Sequence, residues 1–385
     1  MARHRFLVPG IGVRIPAPQL SVQSGYAAYK QQRYFPSLDG VRAVAVILVF
    51  IAHVGYRKVW GSIGGDGVTM FFVLSGFLIT TLALREEERT GRLSLSSFYI
   101  RRFFRIYPVY FAILALYCVL IFWLGFVPER RGLFEDQLPY YVFGFPEHGF
   151  FDITGGIESG PPYAGAWSIG IEEKFYLVWP LVGFVLLRGI FKARLAVCFA
   201  AAAVFAIAPA VIHFGNYLFS YEFITLGVII ALLLHHPYWF ERLAPLGRPP
   251  VLLGLFGLLI AYWVVLPDAG DDVNAPLKLI EGVVITLAMV GVVLSNGRET
   301  GFLRSGPMVL LGRISYVFYL THNFALNLVE KTPLGNDGIL WSIGDVLVAF
   351  PLAVLIAWVI HVTFEKPLVR VGHKLARRDK PFHAV

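Results

Sequence analysis

The sequence predicts an all-α, polytopic membrane protein of about ten transmembrane helices with both termini in the cytoplasm. Three observations carry that prediction. Of 385 residues, 57% are hydrophobic and only 15% charged, with a mean hydropathy of +0.67; a soluble domain of this length needs more charge to cover its surface. Apolar runs close to the ~20 residues that span a bilayer core recur at 43–59, 67–84, 106–127, 168–188, 194–214, 217–234, 250–267, 276–295, 307–328 and 343–363. With both ends of the chain on one side, 24 of the 33 Lys and Arg residues fall in the segments on that side and 5 on the other. Short cytoplasmic loops carry such an excess. The net charge of +8 is therefore topological and does not call for a nucleic-acid partner.

Residues 1–33 read as a flexible cytoplasmic extension, since Met1–Gln32 lacks the continuous apolar core of a signal peptide. Residues 34–370 form one membrane domain with no repeat period, and 371–385 a basic cytoplasmic tail. Cys118 and Cys198 lie inside predicted spans and read as small buried hydrophobes, with neither a disulfide nor a metal site expected.

The first span contains Asp39, Arg42 and His53. Eleven residues at 100° each come within about 20° of three full turns, so Arg42 and His53 share a helix face, separated by a rise of roughly 16–17 Å. Arg42 sits at the cytoplasmic end and His53 deep, toward the outer leaflet. Asp39, one turn before Arg42, is placed to orient it as an i,i+3 ion pair. Ionisable side chains are costly in a bilayer and usually have a partner or a task. The competing explanations are a snorkelling arginine that sets orientation and a histidine satisfied in the interior.

The second span is entered through Gly64-Gly65-Asp66-Gly67 and followed by Phe98-Tyr-Ile-Arg101-Arg102-Phe-Phe-Arg105-Ile-Tyr107-Pro108. Arginines at helical spacing among aromatics suit phosphate oxygens and a stacked adenine, and suit positive-inside anchoring equally. The 39-residue loop 128–166 exceeds what a connection needs; it either caps a cavity or is simply solvated. The fourth span begins Trp167-Ser168-Ile-Gly-Ile-Glu172-Glu173-Lys174-Phe175-Tyr176, and the ninth holds Gly312-Arg313-Ile-Ser315-Tyr316-Val-Phe-Tyr319-Leu-Thr-His322. Glu172 and Glu173 also fit a helix N-terminus through the macrodipole. By the predicted topology His53, Asp66, Glu172 and His322 converge toward the outer leaflet.

Together these stretches resemble the acyltransferase-3 family of membrane-bound O-acyltransferases, which modify cell-surface glycans and some secreted natural products. The matching pieces are Asp39…Arg42-x10-His53, Gly67-Val-Thr-Met-Phe-Phe-Val-Leu-Ser75-Gly76-Phe77, the Phe98–Pro108 stretch, Trp167-Ser168-x3-Glu172-x2-Phe175-Tyr176 and Ile314-Ser315-Tyr316-x2-Tyr319-Leu-x-His322. They occur in order and cover nearly the whole chain. Gly170 and Lys174 depart from the usual residues around Glu172 without touching the matched positions.

The resemblance implies acyl transfer, by expectation acetyl, from an acyl-coenzyme A donor (acetyl-CoA) to a hydroxyl of a glycan or related acceptor, in a bacterial inner membrane and without a metal. It implies His53 as catalytic base; from their predicted depth, Glu172 or Asp66 is expected to fix its tautomer, with His322 nearby. It also implies donor binding by Arg42, Arg101, Arg102 and Arg105, with Tyr107 among the aromatics beside them. Ser75 reads as a close-packing site between helices. Many bacterial relatives carry a further soluble hydrolase-like domain; here the sequence stops at Val385, so any second activity is expected from elsewhere. A transporter with an intramembrane ionic pathway is the alternative, weakened by the absence of duplicated halves. The acceptor, acyl length and oligomeric state are not written in the sequence.

Overall fold

The computed structural model describes residues 17–32, 34–54, 57–153, 163–211, 217–265, 275–295, 297–330 and 339–378. Residues 1–16 of the expected extension, residues 154–162 of the long loop and the tail beyond residue 378 lie outside the described residues. Among the described residues every regular element is helical.

Within the N-terminal extension, α1 (Ala17–Gln31) is a docked helix. The Tyr26 hydroxyl donates to the His235 carbonyl at 2.6 Å, and Arg85 donates to the Tyr29 and Gln32 carbonyls at 3.0 and 2.6 Å. The buried Tyr29 ring packs against Phe35 and Phe240. The helix α2 (Pro36–His53) opens on a proline at its first position, where a missing N–H costs nothing. Next come α3 (Arg57–Thr90) and α4 (Leu95–Phe122). Ser94 caps α4 by accepting from the Ser97 amide.

The segment after α4 folds into α5 (Arg131–Phe143), the single turn α6 (Pro146–His148) and a π turn at Gly149–Ile153. It packs back on α4, where the Tyr110 hydroxyl donates to the Tyr141 carbonyl at 3.0 Å, and against the helix Ala166–Leu181, where Glu147 pairs with Lys174. Then follow α7 (Ala166–Leu181), α8 (Phe191–Val211), α9 (Leu218–His235), α10 (Pro237–Leu243), α11 (Pro249–Val265), α12 (Ala275–Leu294), α13 (Gly306–Glu330), α14 (Ile339–Ile360) and α15 (Lys366–Arg378).

The centre of the bundle is α3, packed on α2 and α9, with α13 bridging α2 to α14. Gly76 and Gly227 let α3 and α9 touch backbone to backbone. A Cβ at 76 would fall 2.0 Å from the Ile224 carbonyl oxygen, and one at 227 would fall 2.1 Å from that of Val73. Small residues are the usual means of such approach between membrane helices. The helices α2 and α13 run side by side in one direction. Arg313 Nε lies 3.7 Å from Asp39 Oδ2 near their starts, and the His53 and His322 rings meet farther along.

A helix lies within each of the ten expected runs, but the runs are not equally apolar. Among the described residues seven helices are long and apolar enough to cross a membrane, and eight if α10 and α11, bent by 73°, count as one span. The two that fall short are α7, with 16 residues and carrying Glu172, Glu173 and Lys174, and α13, carrying Arg313, His322 and Asn323. The protein is a multi-pass membrane protein, and ten crossings with both termini on the cytoplasmic side stand as a proposal.

Candidate active site

Two arginines separated by one turn of α4, Arg102 and Arg105, meet Arg42 of α2 at the wall of a cavity of about 110 Å³ inside the bundle. Phe71, Phe72 and Ser75 of α3 form a second wall; Ser168, Glu172 and Tyr176 of α7 a third; Ser315, Tyr316 and Tyr319 of α13 a fourth. Three positive charges sit together here against one cavity-facing carboxylate.

Each arginine is held by different means. Arg42 Nη1 donates to Asp39 Oδ1 at 3.2 Å, the i,i+3 pair expected from spacing. The Arg102 guanidinium lies over the Tyr176 ring at 5.1 Å and the Phe98 ring at 5.8 Å, a cation–π arrangement. Arg105 pairs with the fully buried Glu365 and lies 5.9 Å from the centre of the Tyr316 ring.

Glu172 accepts from Ser75 Oγ at 2.7 Å through Oε1 and from the Tyr176 hydroxyl at 2.7 Å through Oε2, and the two hydroxyls lie 3.0 Å apart. Its carboxylate is thus satisfied inside the protein rather than bonded to an imidazole. Ser168 donates to the Tyr319 hydroxyl at 2.9 Å, and the Tyr319 ring lies 6.2 Å from Phe71.

One turn past Tyr319 stands His322, whose ring centroid is 4.8 Å from that of His53 at an interplanar angle of 80°. His53 Nδ1 lies 2.7 Å from the Val49 carbonyl oxygen, and His322 Nδ1 2.7 Å from that of Tyr319. A carbonyl only accepts, so each Nδ1 carries a proton toward its carbonyl. The Nδ1 of His53 thus meets a backbone carbonyl, while Glu172 is engaged by Ser75 and Tyr176 and Asp66 lies beside Lys278. His322 Nε2 is buried and makes no hydrogen bond among the described residues. Neither histidine is among the residues lining the cavity.

Of the residues singled out in the sequence, Arg42, Arg102, Arg105 and Glu172 come together at the cavity, and His53 and His322 pair with each other outside its lining, one turn of α13 past Tyr319. Three lie elsewhere. Arg101 points to Glu86 at 3.0 Å. Tyr107 stacks between Phe103 and Phe111, at 5.3 and 6.0 Å. Asp66 lies 3.5 Å from Lys278 of α12, which also pairs with Glu281 at 3.1 Å. Ser75, which reads in the sequence as a packing residue, faces the cavity, and so does Tyr176, which the sequence names only as part of a motif. The second had a signal: it follows Glu172 by four residues, hence on the same helix face.

Residues 35–362 match the model of the family described as "Acyltransferase domain", acyltransferase-3. The chain belongs to the acyltransferase-3 family. Members of this family are acyl-transferring enzymes, and the expectation drawn from the five motifs is met. The chain is 30% identical over 319 residues to "Peptidoglycan O-acetyltransferase OatA" of Listeria monocytogenes, covering 76% of this chain and 49% of that protein. It is 28% identical over 335 residues to "Putative O-acetyltransferase SACOL0978" of Staphylococcus aureus, covering 80% and 53%. The chain thus spans about half the length of these curated relatives. No solved structure matches it.

Proposed function

We propose that this chain is a membrane O-acetyltransferase that takes an acyl group from a coenzyme A thioester on the cytoplasmic side and delivers it to a glycan hydroxyl near His53. Peptidoglycan is the first acceptor to try, on the name of the Listeria relative. The observation that carries the reading is the cavity itself: Arg42, Arg102 and Arg105 converge on one space within a membrane bundle. Three guanidinium groups suit a polyanion, since their planar forks bind phosphate oxygens in pairs.

The arrangement supplies an order of events. Arginine contacts hold the nucleotide phosphates at one end of the cavity. The extended pantetheine arm carries the thioester along the path bounded by Ser75, Glu172 and Tyr319. His53, with its tautomer fixed by Val49, takes the acceptor hydroxyl proton at Nε2 as the oxygen attacks the thioester carbonyl. The proton then serves the departing coenzyme A thiolate, so transfer is proton-neutral overall. His322, edge to face with His53, supports the ring. The arginine end is placed at the cytoplasmic face on the distribution of Lys and Arg.

The test is release of coenzyme A by the purified protein, given acetyl-coenzyme A and muropeptide fragments, with ester formation followed by mass spectrometry. Acceptor-dependent release that disappears in His53→Ala is the expected result. Ester formed at an ordinary rate by His53→Ala would overturn the mechanism.

A further inference from the structure

The helical stretch from Val346 to Arg377 continues for 32 residues but is not α-helical throughout: its turn at His361–Glu365 is a π turn. Isolated π turns inside long helices cost hydrogen-bond geometry and recur at functional positions. This one delivers Glu365 to Arg105. Glu365 is 0% exposed. One of its carboxylate oxygens pairs with Arg105 Nη1, and the other accepts from His361 Nδ1 at 2.6 Å. Partners on two sides, one 260 residues away in sequence, leave that carboxylate little freedom.

The packing of α15 on α4 supports the same contact. Gly372 and Ala376 follow Glu365 by seven and eleven residues, so all three lie within about 20° of one line along the helix. At Gly372 a Cβ would meet Phe104 Cβ at 2.6 Å, and the Ala376 carbonyl accepts from Ser97 Oγ at 2.9 Å. The stripe that brings α15 close to α4 is the stripe that ends in Glu365.

We infer that Glu365, held by His361, is a positioning residue that aims Arg105 at the donor phosphates. An arginine has a long, flexible stem and loses substantial side-chain entropy when a ligand orders it. Here Nη1 of the guanidinium is held by Glu365 and its charge lies 5.9 Å from the centre of the Tyr316 ring, so much of the ordering is already in place and the remaining N–H groups are left for the cavity. Glu365 lies beyond residues 35–362, the part matched to the family. The inference rests on the reading of the cavity as the donor site.

The experiment is titration of the full-length protein in detergent with coenzyme A as the probe, for the wild type, Arg105→Ala, Glu365→Gln and the double variant. Glu365→Gln is expected to weaken binding roughly tenfold, as loss of a charge-assisted contact does. The double variant should bind no more weakly than Arg105→Ala alone, because the two residues act as one unit. Steady-state kinetics should show the donor KM raised, with kcat at saturating donor and the acceptor KM unmoved; a merely structural role would lower the active fraction instead. Unchanged or tighter binding by Glu365→Gln would overturn the inference, since tighter binding means that the carboxylate only masks Arg105. Additive losses in the double variant would overturn it too. Failure of the wild type to bind coenzyme A would overturn the donor reading and this inference together. Should Glu365→Gln not fold, His361→Gln carries the test: it keeps both charges of the ion pair and must weaken binding about threefold, unchanged binding counting against the inference.

Discussion

The imidazole of His53 meets that of His322 edge to face, 4.8 Å between centroids, and each ring spends its Nδ1 proton on a carbonyl of its own helix. Replacing His53 by Ala should lower transfer by roughly a hundredfold to ten-thousandfold, the range lost with a general base, with the thermal midpoint in detergent little changed because His53 is exposed. Coenzyme A release and a melting curve on the same preparation check both halves. A normal rate would remove His53 from the mechanism.

The arginines separate into two classes. Arg102 and Arg105 line the cavity, whereas Arg101 is engaged by Glu86 outside it. Arg102→Ala should weaken donor binding roughly tenfold to a hundredfold while leaving acceptor KM almost unmoved, and Arg101→Ala should do much less. Equal effects of the two substitutions on donor KM would instead favour a topological role for the whole cluster.

Glu172 has two hydroxyl donors, and removal of either leaves a half-buried, cavity-facing carboxylate under-satisfied. Ser75→Ala should therefore cost about 1–3 kcal/mol of stability, read as a lower thermal midpoint. Glu172→Gln is expected to be milder in stability than in activity, because the amide keeps its contacts but takes a negative charge from beside Arg42 and Arg102. Unchanged melting of Ser75→Ala would show that the hydroxyl is dispensable to the fold.

Helix approach gives a prediction independent of chemistry. Gly227→Leu would place side-chain atoms where Val73 and Phe77 backbone already lies. Overpacking of about 3 kcal/mol or more is expected, seen as loss of folded protein in the membrane fraction. Recovery of wild-type amounts would mean that α3 and α9 stand farther apart.

The helices were legible in the sequence because hydropathy and length act locally, and so was the Asp39–Arg42 pair, which needs only one turn of helix. The common direction of Arg42 and His53 also follows from angular spacing: Arg42 borders the cavity alongside Ser315, Tyr316 and Tyr319 of α13, and His53 touches His322 of the same helix. What could not be read were partners supplied by distant elements. Lys278 beside Asp66 and Glu365 beside Arg105 each join segments far apart in the chain, and one-dimensional spacing carries no information about that. Tyr107 misled for a related reason. Its motif placed it among arginines, but its own face of α4 turns it into a ladder of rings with Phe103 and Phe111.

The helices that fall short in apolarity, α7 and α13, also supply half of the cavity wall. That overlap has a consequence for biogenesis. A segment bearing Glu172, Glu173 and Lys174, or Arg313 and His322, partitions poorly into lipid when it leaves the translocon alone. Each gains a favourable environment only once Asp39, Ser75 and the arginines of earlier helices are already there to receive it. The residues that equip the protein for its chemistry thus also make its insertion depend on the order in which the chain is delivered.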